Sequence, residues 1–300
     1  MARARTRSAA SGNREALQET LLAWYRRHGR ELPWRQTRNP YYILVAEVML
    51  QQTQVERVLP KYAEWLAAFP TLVSLAEAPT AEVIRRWSPL GYNSRAVRLQ
   101  HIARACAGTL PDTFEGLLEL KGIGRYTAGA VACFAYEQQV AFWDTNIRRA
   151  LSRLLSGAAS DLSEKALLEL ASNAVPPGEA YDWHQALMDL GATVCTSRLP
   201  RCGACPLTTH CAAYPQIQSA GALTRLAERR ASYDAGRPFE TTNRYFRGRI
   251  VEALRERSPR TTTEICEVIG RSEQPWLEGV LAGLERDGLI ARHAGSVSLP

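Results

Sequence analysis

Lysine is nearly missing from this chain: Lys61, Lys121 and Lys165 are the only three among 37 basic residues, so arginine carries the positive charge. Also missing is any apolar run near the roughly 18 residues that a membrane span requires. The opening MARARTRSAASGNR lacks the apolar middle of a signal peptide. These absences argue against a spanning or secreted protein. Residues 1–14 are expected to be a disordered basic arm on a protein of the cytoplasm, in a bacterium the nucleoid. Seven cysteines are an odd number for a disulfide framework in 300 residues. No internal repeat or low-complexity tract is present.

What remains is a globular composition, 46% hydrophobic and 22% charged, with a net charge of +7. An arginine excess has two readings. One is a coding preference; the other is a phosphate-binding face, since guanidinium groups pair bidentately with phosphate oxygens.

Apolar residues recur at helical spacing from Asn13 until Pro33, and Asn39-Pro40 offers a cap and first position for a helix running through Met49 and Val55 toward Pro60. Helical patterns continue to Leu190 with almost nothing that reads as a strand, so the main region is all-helical. The pattern weakens over 215–243, which is read as a linker around Gly236-Arg237-Pro238. Residues 244–300 then read as three helices followed by a short hairpin, the outline of a winged helix.

Cys195, Cys202, Cys205 and Cys211 fall within seventeen positions as C-x6-C-x2-C-x5-C. Four thiolates in one short loop can wrap a zinc ion or hold an iron–sulfur cluster. Gly122 and Gly124 in LKGIGRYTA make a tight turn between helices, or else expose backbone N–H groups to a phosphate. Asp144 in WDTNIRR stands where it can cap the following helix. Glu47, among Leu44, Val48 and Leu50, is either a helix-surface residue or a carboxyl group in apolar surroundings, which raises the pKa and suits a general acid.

Taken together, EVMLQQTQV, GRELPWR, LKGIGRYTA, WDTNIRR, HQALMDLGATVC and the cysteine loop resemble, in order, the MutY-type adenine glycosylases of the helix-hairpin-helix superfamily, relatives of endonuclease III. The resemblance covers roughly residues 15–214. It implies a mainly α, two-lobed helix-hairpin-helix glycosylase fold, with a six-helix lobe at about 37–136 and an iron–sulfur lobe from 15–36 and 137–214, plus the winged-helix-like module. It implies a 4Fe-4S cluster on the four cysteines and a monomer acting on double-stranded DNA that carries a mismatch or lesion. Glu47 would be the acid, Asp144 the carboxylate that stabilises the sugar cation, and Tyr126 and Asn146 the residues that position them. Arg30, Trp34, Arg35 and Gln185 would line the base pocket, Gln52 would be the wedge, and Leu50, Thr53 and Tyr92 would touch bases near it. Tyr126 occupies the slot where bifunctional members carry a Schiff-base lysine, which implies base release without strand cleavage.

Asn93, Trp143 and Thr145 depart from the family's common residues, and its usual 8-oxoguanine-reading C-terminal domain is not visible in the last 60 positions. Two other readings stand beside this one. A sister group removes thymine or uracil opposite guanine, and a silent DNA-binding protein could share the helix-hairpin-helix and winged helix.

Overall fold

The computed structural model describes residues 2–158, 162–218 and 238–300, with side chains from Gly12 onward. Most of the expected linker lies outside the described residues; within its bounds, residues up to Gln218 belong to a short helix and Phe239–Thr241 is a 3-10 turn. The chain divides into two compact units, Met1–Arg38 with Asp112–Leu118 and Gly124–Ala235, and Asn39–Pro111 with Glu119–Ile123 and Gly236–Pro300.

In the first unit, α1 (Ala2–His28) replaces the disordered arm expected over 1–14. Alanine and arginine are strong helix formers and recur through residues 2–14, so the helix extends past the apolar stripe that made it legible. With it stand α8 (Arg125–Tyr136), α9 (Thr145–Ser156), α10 (Glu164–Ala174) and α11 (Ala180–Thr193), while α7 (Phe114–Glu119) straddles the division. Helix α11 packs against α1, α8 and α9, burying Trp183, Leu187 and Leu190 with Leu21, Ile147 and Leu151. Helix α12 (Tyr214–Gln218) follows the cysteine loop.

The second unit holds α2 (Pro40–Leu50), α3 (Val55–Ala68), α4 (Leu72–Glu77), α5 (Thr80–Trp87) and α6 (Ser94–Ala105) around the perpendicular indoles of Trp65 and Trp87, 5.3 Å apart. Asn39 caps α2, its Oδ1 accepting from the N–H of Tyr41 at 3.0 Å. The helix expected to continue to Pro60 breaks after Leu50: Gln52 is left-handed at φ 56°, and α3 starts afresh at Val55 and carries Pro60 inside it.

Beyond Pro238 come α13 (Asn243–Glu256), strand β1 (Arg260–Thr261), α14 (Thr262–Ile269), α15 (Gln274–Arg286) and the hairpin β2 (Ala291–His293) and β3 (Ser296–Ser298). The sheet order is β1-β3-β2, antiparallel throughout, and β1 is the one strand that was not legible in the sequence. This winged helix is not a detached domain. Its buried Ile250, Leu254, Leu284 and Leu289 share one apolar cluster with Ile84 of α5 and Val97 of α6. Arg255 Nε donates to the Ile84 carbonyl at 3.1 Å, and the Ala81 N–H donates to the Pro300 carbonyl at 3.1 Å. Apolar positions on α13 and α15 look alike in sequence whether they face one another or a neighbour, so the shared core could not be read from periodicity.

Candidate active site

Asp144 is the cap of α9 and has both of its oxygens occupied. Oδ1 accepts from the backbone N–H groups of Asn146 and Ile147 at 2.9 and 2.7 Å, and Oδ2 accepts from Asn146 Nδ2 at 2.9 Å. The carboxylate is thus held half-buried in one orientation at the positive end of a helix. Asn146 is fixed in turn by Arg149, whose Nη2 donates to Asn146 Oδ1 at 2.8 Å and to the Gly191 carbonyl at 2.6 Å. Arg149 Nε reaches the carbonyl of Cys195 at 2.8 Å, which ties this cap to the start of the cysteine loop. Sequence reasoning missed Arg149; its one signal was the i, i+3 spacing from Asn146 on the face of α9.

Tyr126, half-buried on α8, meets Phe142 edge to face at 5.8 Å, and Phe142 stacks on His184 at 4.0 Å. His184 Nδ1 lies 2.7 Å from the Ala180 carbonyl, and Nε2 lies 3.4 Å from the Phe142 N–H. That pattern requires the neutral imidazole protonated on Nδ1. Burial pushes its pKa down to about 4, against a smaller upward pull from the Ala180 carbonyl. Gln185, beside it on α11, is buried.

Asp189 gathers the arginines of the GRELPWR segment. It takes both terminal nitrogens of Arg35 at 2.7 and 2.8 Å, and the N–H and Nε of Arg30 at 2.9 and 2.7 Å. Burial raises the carboxyl group's pKa, but the Arg35 hydrogen bonds and charge, with Arg30, outweigh it and hold it below the ordinary range. The Arg35 side chain is only 7% exposed and is spent on this pair, whereas that of Arg30 is 32% exposed and can meet a ligand as well. Trp34, between them in sequence, is buried in the 3-10 turn Pro33–Arg35.

In the second unit Glu47 is 5% exposed on α2, a helix buried from Ile43 to Met49. The helix-surface reading of Glu47 is therefore excluded. Leu50, Gln52 and Thr53 follow in the break after α2, and Tyr92 sits at φ 45° in the turn before α6. Arg95, 4% exposed, ties these two turns together. Its Nη1 donates to the carbonyls of Val48, Met49 and Gln51, and its Nη2 to Thr53 Oγ1 at 3.1 Å and to the Leu90 and Gly91 carbonyls at 3.2 and 3.1 Å. Desolvation brings its pKa down to about 10. Gly122 adopts φ 102°, which favours glycine, and Gly124 caps α8 with open space around its Cα.

The four loop cysteines are free thiols lining one apolar cavity of about 20 Å³ with Leu154, Val194 and Ile217. Among the described residues no three His, Cys, Asp or Glu side chains close on a single ion position. The donor set nevertheless fits an iron–sulfur cluster, since four soft sulfur donors line the same cavity. Arg153 stands beside the loop. Its buried guanidinium lies 3.5 Å from Cys195 Sγ, bonds the Thr196 and Ser197 carbonyls, and has no carboxylate partner among the described residues. No helix among them is long and apolar enough to cross a membrane.

Residues 45–176 match the HhH-GPD superfamily of base excision DNA repair proteins. An adenine DNA glycosylase of Mycolicibacterium smegmatis is 41% identical over 280 residues, 91% of this chain and 92% of that protein. One of Mycobacterium tuberculosis is 39% identical over 302 residues, 97% and 95% of the two chains. Among solved structures, a thermostable thymine-DNA glycosylase superposes with a TM-score of 0.66 at 32% identity, covering 69% of this chain and 99% of that one. An endonuclease III trapped as a covalent DNA intermediate superposes at 0.60 with 22% identity, 68% and 97% covered, a likeness of fold alone. With mycobacterial matches that cover more than nine tenths of both chains, the chain belongs to the adenine DNA glycosylase family of the HhH-GPD superfamily.

Proposed function

We propose that this protein is a monofunctional DNA glycosylase that flips adenine out of a duplex, opposite 8-oxoguanine or guanine, and hydrolyses its N-glycosidic bond. The observation that carries the reading is the burial of Glu47 in an otherwise apolar helix. Adenine is a poor anionic leaving group, and a buried carboxylic acid can protonate it at N7 as the bond breaks. The electron pair of the C1′–N9 bond leaves with the base. Asp144, held in place by three donors, stabilises the cationic sugar until water adds at C1′, which parallels the paired carboxylates of glycoside hydrolases. Tyr126 offers no amine to the sugar, so no Schiff base forms and the strand stays intact. The reading gives Arg30, Trp34 and Gln185 to the base pocket, Gln52 to the gap left by the flipped base, and Leu50, Thr53 and Tyr92 to bases nearby. Gly122 and Gly124 present N–H groups to a phosphate, and Cys195, Cys202, Cys205 and Cys211 hold a 4Fe-4S cluster that stiffens an arginine-bearing loop.

The test is a glycosylase assay on duplexes with A, G, T or U opposite 8-oxoguanine or guanine, with and without alkali. Adenine release that becomes a strand break only after alkali is expected. Asp144→Asn and Glu47→Gln should each lower release by roughly 10³-fold or more while duplex affinity is retained. A second reading, thymine or uracil excision opposite guanine, is favoured by the likeness to the thymine-DNA glycosylase structure. Near-normal excision by Glu47→Gln would select it.

A further inference from the structure

A cavity of about 670 Å³ opens between the turn that carries Tyr92 and the first helix of the winged helix, lined by Asn93, Phe239, Arg244, Arg247 and Arg255 among others. That volume suits a single nucleotide. The guanidinium carbon of Arg244 stands 3.9 Å over the centroid of the Tyr92 ring and 5.6 Å from that of Phe239, which is 52% exposed. Arg247 is paired with Asp287 and Arg255 with Glu252, but Arg244 has no carboxylate partner among the described residues. A contact that merely joined the winged helix to α5 and α6 would be redundant, because the buried cluster around Ile84 and Val97 already does so.

We propose that Tyr92, Arg244 and Phe239 form a platform on which the base opposite the excised one stacks, making Arg244 a specificity-determining residue for the mispair. This rests on the DNA-glycosylase reading above. Bases stack on aromatic rings and on guanidinium planes alike. Here the Arg244 guanidinium already stands over the Tyr92 ring, and its N–H groups can meet a base edge. The left-handed turn at Tyr92 is uncommon for a non-glycine residue, and the bonds of Arg95 to the Leu90 and Gly91 carbonyls hold it there.

The test measures affinity of the full chain for two duplexes that carry an uncleavable adenine analogue, one with guanine opposite and one with an abasic site opposite. Arg244→Ala should weaken binding about tenfold on the guanine duplex and less than twofold on the abasic one. Arg244→Lys, which keeps the charge and loses the plane, should behave like alanine. Equal loss on both duplexes, full rescue by lysine, or no loss on either would overturn the platform. An unchanged melting temperature checks the fold, and Phe239→Ala repeats the comparison if Arg244→Ala melts early. Should the wild type excise thymine instead of adenine, the adenine assignment fails, and the same comparison is run with a thymine analogue.

Discussion

A Cβ atom at Gly191 would stand 2.7 Å from the Cβ of Asn146 and 3.1 Å from its carbonyl oxygen, so α11 and α9 touch at a point that only glycine permits. The residue that gives way, Asn146, is the one that orients Asp144. Gly191→Ala is expected to cost about 1–3 kcal/mol of stability through overpacking. It should cut base release far more than that cost alone would, since misplacing a catalytic group by about 1 Å costs roughly 10²-fold. Single-turnover rates read beside melting temperatures check this; a variant that loses stability but keeps its rate would remove Asn146 from the mechanism.

Arg95 satisfies the last carbonyls of α2 and the turn of Tyr92 with one guanidinium. Arg95→Ala leaves several buried acceptors unmet, at about 1–3 kcal/mol for the group. Arg95→Lys keeps the charge without the fork that spans both turns. Both variants should lose duplex affinity, and Lys should recover more stability than affinity; equal recovery of the two would contradict a positioning role.

His184 sets an acid limit. Its folded pKa of about 4 lies below the ordinary value of 6.5, so the unfolded chain takes up the proton first. The stability it contributes is complete above about pH 6.5 and is lost as the pH falls toward 4, a change on the order of 3 kcal/mol. Melting curves from pH 7.5 to 4.5 should show this slope, and His184→Gln should flatten part of it. A wild-type slope unaltered in His184→Gln would assign the acid sensitivity to the carboxylates.

Protein purified without air should be brown, with about four iron atoms per chain. Cys202→Ser should lose the colour and lower the melting temperature. Stoichiometric zinc in place of iron would be the contrary result.

Much of this protein was written in local pattern. The Asn39-Pro40 cap, the periodicity of α8 to α11, the cysteine spacing and the order of the motifs are short-range features, because hydrogen bonds three or four residues apart and a loop of close ligands form within a few residues of sequence. The break after Leu50, the burial of Glu47, the pairing of Arg35 with Asp189 and the union of the winged helix with α5 and α6 were not legible there. Each depends on partners distant in the chain, such as Arg95 for the carbonyls of Val48 and Met49 and Ile84 for Leu254. A helix end or a buried charge is decided by which remote group arrives to satisfy it, and only the folded chain brings that group into place.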